Sequence, residues 1–160
     1  MLMPSPLFMA VPLKKVRIYT DGACKGNPGP GGYGCVIEQN GKVRELKGGA
    51  TATTNNIMEL TAAIVALQQL EEPCEVELVS DSQYLVKGMT EWLPGWLSNN
   101  WKTAGRQPVK NQDLWRELHR LNQKHRIDWK WIRGHQGHPG NERADFLANQ
   151  AIAEFNGNTS

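Results

Sequence analysis

The sequence contains few cysteines and no long hydrophobic run. No apolar stretch in the 160 residues approaches the roughly 20 residues that a membrane-spanning helix needs, so we expect no membrane association. The three cysteines, Cys24, Cys35 and Cys74, are odd in number and lack close spacing. This pattern argues against a disulfide scaffold and is typical of a reducing compartment, so the predicted location is cytoplasmic.

The N-terminal residues lack the features of a targeting signal. Residues 1–14 are largely apolar, but three prolines interrupt them and no basic region precedes them. We interpret them as a flexible extension. A chain of this length predicts one domain, here residues 15–156, followed by a short tail at 157–160, and we expect a monomer.

Positive charge and tryptophan are concentrated in one part of the chain. The whole sequence carries a net charge of only +2. Between Ser82 and Arg133, however, ten Lys or Arg stand against four Asp or Glu, and all six tryptophans lie there too. Basic residues mixed with aromatic ones suit a nucleic-acid backbone. A solvated helix face with core tryptophans would explain the same pattern, so charge alone leaves both interpretations open.

The pattern of apolar residues predicts an α/β fold. Alternation and β-branched residues predict strands at Lys15–Asp21, Tyr33–Gln39, Val43–Gly49, Glu75–Asp81 and Ile127–Ile132. Helices are predicted at 55–70, 82–89 and 112–125 and from Pro139 onward, with Asn40-Gly41 as a hairpin turn and Pro94-Gly95 as a loop. The order βββαβααβα predicts a sheet that begins as an antiparallel meander and continues through crossovers.

The glycine-rich segment YTDGACKGNPGPGGYG, at residues 19–34, does not match a phosphate-binding loop. Gly26 and Gly31 have Walker spacing, but Gly32-Tyr33 follows where Lys-Ser/Thr is required. The GxGxxG match at Gly29 precedes a strand instead of a helix, so no helix N-terminus would face a pyrophosphate. The segment therefore predicts a rigid turn into a hairpin, which lets another backbone approach closely.

Four acidic residues occupy unusual positions. Asp21 and Asp81 follow predicted strands, and parallel neighbouring strands would bring them to one edge of the sheet. Glu59 and Asp145 each flank the apolar stripe of a helix. Each acid alone has an ordinary structural explanation, but four such carboxylates together would repel one another without a cation. Ligands that are all oxygen favour Mg²⁺ or Mn²⁺ over Zn²⁺.

A histidine lies in a glycine-flanked loop close to these acids. His135 precedes the helix that carries Asp145, and an imidazole near a metal site can transfer a proton or assist product release. A surface histidine is the alternative. A zinc pair with His138 is weakly supported, because no cysteines have CxxC spacing.

Five motifs together resemble bacterial ribonuclease HI across roughly residues 15–153. They are Tyr19-Thr-Asp-Gly, the segment 26–34, Thr53-Thr-Asn-Asn-Ile-Met-Glu-Leu60, Ser80-Asp-Ser-Gln-Tyr84 and the segment 134–145. The resemblance implies the ribonuclease H fold, with a five-stranded mixed sheet of order 3-2-1-4-5 and flanking helices. It also implies hydrolysis of the RNA strand of an RNA–DNA hybrid with two Mg²⁺ ions, for which Mn²⁺ can substitute, leaving 5′-phosphate and 3′-hydroxyl ends.

The resemblance also implies roles for individual residues. Asp21, Glu59, Asp81 and Asp145 correspond to the metal-binding carboxylates, and His135 to a mobile assisting histidine. Groups that contact the minor groove of the hybrid correspond to Cys24, Asn27, Asn55, Asn56 and Gln83. Thr54 and Asn111 correspond to a pocket for a DNA phosphate, and Trp92 to an aromatic side chain along the DNA strand.

Two departures from the family pattern concern substrate binding. The segment Trp96–Trp101 has a neutral centre where well-known members carry Lys and Arg. Ala52 stands where some relatives place an arginine near the phosphate pocket. We expect weaker substrate binding with a shallower salt dependence. Two alternatives remain: a resolvase-like DNA nuclease of the same fold, and a non-catalytic module that binds hybrids or RNA.

Overall fold

A mixed five-stranded sheet forms the centre of the molecule, and the computed structural model describes residues 12–134 and 137–157. The strands are β1 (Lys14–Cys24), β2 (Gly29–Gln39), β3 (Lys42–Thr53), β4 (Cys74–Ser80) and β5 (Arg126–Trp131). Strands β1, β2 and β3 pair antiparallel, whereas β4 runs parallel to β1 and to β5. The order β3-β2-β1-β4-β5 confirms the predicted fold class.

The turn between β2 and β3 follows its sequence signal. Asn40 and Gly41 both adopt the left-handed region, with φ of 54° and 74°. Two successive left-handed residues are the requirement of the tight hairpin turn that Asn-Gly favours. The predicted hairpin is therefore confirmed.

Five α-helices flank the sheet within the described residues, where the sequence predicts four. They are α1 (Asn55–Gln68), α2 (Gln83–Lys87), α3 (Leu93–Ser98), α4 (Gln112–Lys124) and α5 (Pro139–Gly157). The loop prediction for Pro94-Gly95 is wrong, because both residues lie in α3. A π-helical turn at Gly88–Trp92 joins α2 to α3, and Pro94 lies in the first turn of α3.

None of the described helices combines the length and the apolar character that crossing a bilayer requires.

The two faces of the sheet pack against different helices. Helix α1 covers the face that buries Ile18 and Leu78, and α4 packs against α1 through Trp115 and its neighbours. On the opposite face, α5 lies across β1, β2 and β3 and encloses a smaller apolar cluster around Val36 and Leu147.

Two glycines of β2 allow α5 to approach the sheet backbone. A Cβ atom on Gly34 would lie 2.4 Å from the carbonyl oxygen of Ala144, and one on Gly32 would lie 2.3 Å from that of Ala148. The prediction that glycines let another backbone approach is therefore correct, but Gly32 and Gly34 lie in strand β2 and not in a turn. The turn itself is shorter and is closed by the N–H of Lys25, which donates to the carbonyl of Pro30 at 2.8 Å.

Candidate active site

Asp21 and Asp81 lie side by side because their strands are parallel neighbours. The register pairs Thr20 of β1 with Ser80 of β4, and each aspartate is the next residue along its chain. This adjacency confirms the prediction that parallel strands bring the two carboxylates to one edge of the sheet.

Glu59 reaches the same edge from α1. Gly22 permits this approach, since a Cβ atom there would lie only 2.4 Å from the backbone nitrogen of Glu59. The N–H of Gly22 donates to Asp21 Oδ1 at 3.0 Å and also to Glu59 Oε1. One backbone donor thus fixes an oxygen of each carboxylate.

The three carboxylates form a compact cluster. Ligand oxygens of Asp21, Glu59 and Asp81 all lie within 4.8 Å of one another. Asp21 is 4% exposed and Glu59 is 5% exposed, whereas Asp81 is half-buried. None of the salt bridges formed between described residues includes any of the three. The cluster therefore places several acidic groups together without a side-chain cation.

Burial and mutual repulsion favour protonation of this cluster. Burial is the main cause that raises the pKa of Asp21, and the charges of Glu59 and Asp81 raise it further. Burial also raises the pKa of Glu59, again with a contribution from Asp81. Hydrogen bonds of Glu59 with Asp21, Gly22 and Ser82 lower its pKa and so oppose that rise. Without a cation, the cluster binds protons that ordinary surface carboxylates would release.

Asp145 approaches the cluster from α5. Its side chain lines the same cleft, and a hydrogen bond between the carboxyl groups of Asp145 and Asp21 contributes to the raised pKa of Asp21. Asn149, one turn further along α5, donates from Nδ2 to Asp145 Oδ1 at 3.2 Å. The structure thus brings all four predicted acids to one cleft, three of them in the tight cluster.

Three of the predicted substrate-binding residues line the rim of this cleft. Asn55, Asn56 and Gln83 are exposed there. Asn27 lies behind Asn55 and accepts a hydrogen bond from its backbone N–H at 2.8 Å. Cys24 is half-buried, and its thiol contacts the carbonyl oxygen of Thr53 at 3.4 Å.

The remaining predicted contacts lie outside the lining of the cleft. Thr54 is the N-cap of α1, with its hydroxyl accepting from the N–H of Ile57 at 3.1 Å. Asn111 donates to the hydroxyl of Tyr84 at 3.1 Å, and the ring of Trp92 lies 5.9 Å from that of Tyr84. Tyr84 itself lines the cleft, so it connects the carboxylate site to both residues.

His135 lies outside the described residues. The preceding residue, Gly134, is in contact with the site, because a Cβ atom on it would lie 2.7 Å from Asp81 Oδ2.

Sequence reasoning missed several residues of the site. Gly22 and Ser82 belong to quoted motifs but received no role, although both hydrogen-bond to Glu59. Ser82 was recognisable as the start of a helix, and its hydroxyl does accept from the N–H of Leu85 at 3.1 Å. Tyr84 was marked in the sequence only as the last residue of the motif Ser80-Asp-Ser-Gln-Tyr84. Trp131, whose indole contacts Asp81, belongs to the tryptophan-rich basic segment, but no sequence pattern connects it with the acids.

Fold and site together define an α/β protein with an all-oxygen, acidic cleft at the carboxyl ends of parallel strands. The sequence profile of the RNase H family matches residues 13–153. A ribonuclease H of Xanthomonas oryzae pv. oryzae is 56% identical over 146 residues, covering 91% of this chain and 97% of the relative. The ribonuclease H of Alcanivorax borkumensis is 58% identical over 143 residues, covering 89% and 95%.

The solved structures that resemble this fold include ribonucleases H, as the sequence relatives do. LC9-RNase H1, a type 1 RNase H with the type 2 active-site motif, superimposes with a TM-score of 0.80 at 34% identity, covering 90% of this chain and 74% of that one. LC11-RNase H1, solved in complex with an RNA/DNA hybrid, has a TM-score of 0.67 at 28% identity, covering 87% and 97%. The chain belongs to the RNase H family, and its activity is that of a ribonuclease H.

Proposed function

We propose that this enzyme hydrolyses the RNA strand of RNA–DNA hybrids in the cleft formed by Asp21, Glu59, Asp81 and Asp145. The observation that carries the proposal is the cluster of three carboxylates within 4.8 Å, none of which forms a salt bridge with a described residue. Membership of the RNase H family and the likeness to an enzyme solved with RNA/DNA hybrid support the choice of substrate.

The donor set fits divalent cations of the Mg²⁺ or Mn²⁺ type. All the converging ligands are carboxylate oxygens, and burial, followed by repulsion from the neighbouring acids, raises the pKa values of Asp21 and Glu59. We propose that the four acids hold two Mg²⁺ ions, with Mn²⁺ as a substitute. Held by these four acids, such ions would activate a water and would stabilise the departing 3′ oxygen, so that the products would carry 5′-phosphate and 3′-hydroxyl ends.

The protein contributes a rigid arrangement of these acids. The N–H of Gly22 restrains one oxygen of Asp21 and one of Glu59. The Ser82 hydroxyl accepts from Leu85, so its own proton is available to Glu59. Ligands held in this way need little rearrangement when the substrate phosphate arrives. Water is the nucleophile in this proposal, so no serine or cysteine nucleophile is needed.

The rim of the cleft suits recognition of RNA. Asn55, Asn56 and Gln83 present amides that donate and accept, which matches a 2′-hydroxyl with the same two capacities. We propose that Cys24 and Asn27 complete this minor-groove surface from the glycine-proline turn. Reading the 2′-hydroxyl is what separates RNA from DNA in a wide, shallow groove.

The DNA strand is proposed to follow the aromatic side of the cleft. Thr54 and Asn111 would bind a DNA phosphate, with Ala52 leaving that pocket without an arginine. The ring of Trp92 is 38% exposed and available along the path. The neutral segment Trp96–Trp101 lies beside it and offers no cation, so the salt dependence of binding should be shallow. His135 is proposed to assist proton transfer or product release.

A single incubation separates this function from its two rivals. Labelled RNA–DNA, RNA–RNA and DNA–DNA duplexes are incubated with Mg²⁺ or with EDTA. We expect cleavage only of the RNA strand of the RNA–DNA hybrid, and only when Mg²⁺ is present. Analysis of the product ends should then give 5′-phosphate. Cleavage of DNA–DNA would instead support a resolvase-like nuclease, and binding of the hybrid without cleavage would support a non-catalytic module.

A matched pair of variants assigns the activity to the cleft. Asp81→Asn removes a cluster carboxylate, whereas Asp128→Asn removes an exposed acid of β5. We expect D81N to lose cleavage by about 1,000-fold or more and D128N to keep it within about twofold. Equal activity in both variants would refute the assignment.

A further inference from the structure

Of the two cluster aspartates that lie at strand ends, Asp81 has the weaker backbone support from the sheet. Asp21 is paired with Gly34 in the ladder between β1 and β2, but β4 ends at Ser80, one residue before Asp81. The last pair between β4 and β5 joins Ser80 to Trp131. The position of Asp81 therefore depends on interactions other than strand pairing.

Those interactions come from the end of β5. The indole Nε1–H of Trp131 donates to the backbone carbonyl of Asp81 at 2.9 Å. The N–H of Ile132 donates to the carbonyl of Ser80 at 3.0 Å. Gly134 lies directly against the Asp81 carboxylate, where no Cβ atom would fit. The last residue of β5 thus contacts the backbone carbonyl of Asp81, and Gly134, three residues later, lies against its carboxylate.

Core packing does not account for Trp131. Its side chain is 41% exposed, whereas Trp115 in the main core is completely buried. An indole N–H can only donate, so it binds a carbonyl oxygen and does not compete with carboxylates for a cation. The feature that Trp131 adds to this edge of the sheet is the hydrogen bond to Asp81.

We propose that Trp131 is a positioning residue for the metal centre, acting through the Asp81 peptide group. By holding the carbonyl of Asp81, it fixes the direction in which the carboxylate leaves the end of β4. This inference rests on the proposed function, because it assumes that Asp81 is a metal ligand. Partners that orient a ligand without touching the metal commonly affect metal affinity.

The same strand offers a matched control. Trp129 also donates its indole N–H, to Asn122 Oδ1 at 3.0 Å, but that acceptor belongs to α4 and lies outside the lining of the cleft. Trp131→Phe and Trp129→Phe each remove one indole donor from β5 and keep an aromatic ring. Mn²⁺ binding is measured by titration calorimetry in the absence of substrate, and kcat and KM on the hybrid are measured in saturating Mg²⁺.

The two variants should behave differently. We expect W131F to bind Mn²⁺ about 3- to 10-fold more weakly and to lose kcat to a similar extent, with KM unchanged. W129F should keep metal affinity and kcat within about twofold while its melting temperature falls. Parental Mn²⁺ affinity in W131F, or equal losses in both variants, would overturn the inference.

Two additions keep the result interpretable. Asp81→Asn is titrated with Mn²⁺ in parallel. If D81N binds Mn²⁺ like the parent, the proposed metal site is wrong. If D81N loses Mn²⁺ binding while W131F binds normally, only the role of Trp131 is refuted. Both tryptophan variants are also prepared with Arg106→Gly, which relieves a left-handed backbone conformation away from the cleft and is expected to stabilise the fold, so that a loss of stability does not obscure the comparison.

Discussion

Asp21 and Glu59 share one hydrogen-bond donor, the backbone N–H of Gly22. This arrangement holds two buried acids together on adjacent elements, β1 and α1. Because burial and mutual charge raise the pKa of both, the metal-free fold is under electrostatic strain at this point.

Relieving that strain should stabilise the metal-free protein. We expect Asp21→Asn to abolish turnover and to raise the free energy of unfolding by about 1–2 kcal/mol. The pKa of Asp21 is higher in the folded protein than the value near 4 in the unfolded chain. The contribution of Asp21 to stability is therefore fully present below about pH 4 and is lost as the pH rises. The gain in D21N should therefore be larger at pH 8 than at pH 5.5 in EDTA.

Thermal unfolding in EDTA and in Mg²⁺ checks this expectation. Asp128→Asn is the control, and as an exposed site it should change stability by less than about 0.5 kcal/mol. Mg²⁺ should raise the melting temperature of the parent but not that of D21N. A marked fall in the melting temperature of D21N would show that Asp21 has a structural role instead.

His125 should make the fold sensitive to acid. Its Nδ1 accepts from the N–H of Cys74 at 3.1 Å, and burial is the main cause that lowers its pKa to about 4. The unfolded chain takes up this proton near pH 6.5, so the stability is fully present above that pH and is lost between about 6.5 and 4. The loss should reach at most about 3 kcal/mol at the acid end.

Urea unfolding between pH 4.5 and 7.5 measures that loss. His125→Gln should be less stable than the parent at neutral pH, and the difference in stability between the two proteins should shrink as the pH falls toward 4.5. His138→Gln, which changes an exposed side chain, should follow the parent. Parallel curves for the parent and H125Q would exclude His125 as the source.

The contact between β2 and α5 should not tolerate a side chain at Gly34. Gly34→Ala would place its Cβ 2.4 Å from the carbonyl oxygen of Ala144, so α5 must move or the sheet must deform. We expect a loss of about 2–4 kcal/mol and reduced activity, since α5 carries Asp145. Chemical denaturation and hybrid cleavage provide the two measurements.

Gly95→Ala is the matched control for that substitution. A Cβ atom on Gly95 meets nothing within 4 Å, and the residue lies within α3. Alanine there should be neutral or stabilising by up to about 1 kcal/mol. If G34A were as stable as G95A, the close approach of α5 would not be essential.

Arg106 occupies an unfavourable backbone conformation. Its φ of 64° lies in the left-handed region, and its side chain is exposed. Arg106→Gly should raise the free energy of unfolding by about 0.5–1 kcal/mol, because glycine adopts this conformation without steric cost. Differential calorimetry would detect the corresponding rise in melting temperature.

Lys110→Gly tests whether the effect depends on the backbone conformation. Lys110 is exposed in the same connection, but it is not among the residues with positive φ. Glycine should therefore destabilise at this position by increasing the freedom of the unfolded chain. A destabilised R106G would contradict the argument from φ.

Local sequence signals were sufficient for the strands and for much of the site. The alternation around Ile18 predicted β1, Asn40-Gly41 predicted the hairpin, and the rule for parallel strands placed Asp21 beside Asp81. These predictions succeed because each depends on a short segment or on a general rule of sheet topology.

Features that depend on contacts between distant segments were not predictable. Glu59 was predicted to lie at the flank of a helix stripe, yet it is as buried as the stripe itself because Gly22 admits α1 to the strand. Pro94-Gly95 gave a local loop signal that the continuing helical turn overrode. Trp131 meets Asp81 across 50 residues of sequence, and no local pattern marks that contact.

The direct contact between the backbone of α5 and that of β2 has a mechanical consequence. Most helices rest on a sheet through a layer of side chains that can change rotamer and absorb small displacements. At Gly32 and Gly34 that deformable layer is missing, so the helix cannot shift without carrying Asp145 with it. Two residues without side chains, Gly32 and Gly34, therefore restrict where α5 places Asp145 along the cleft.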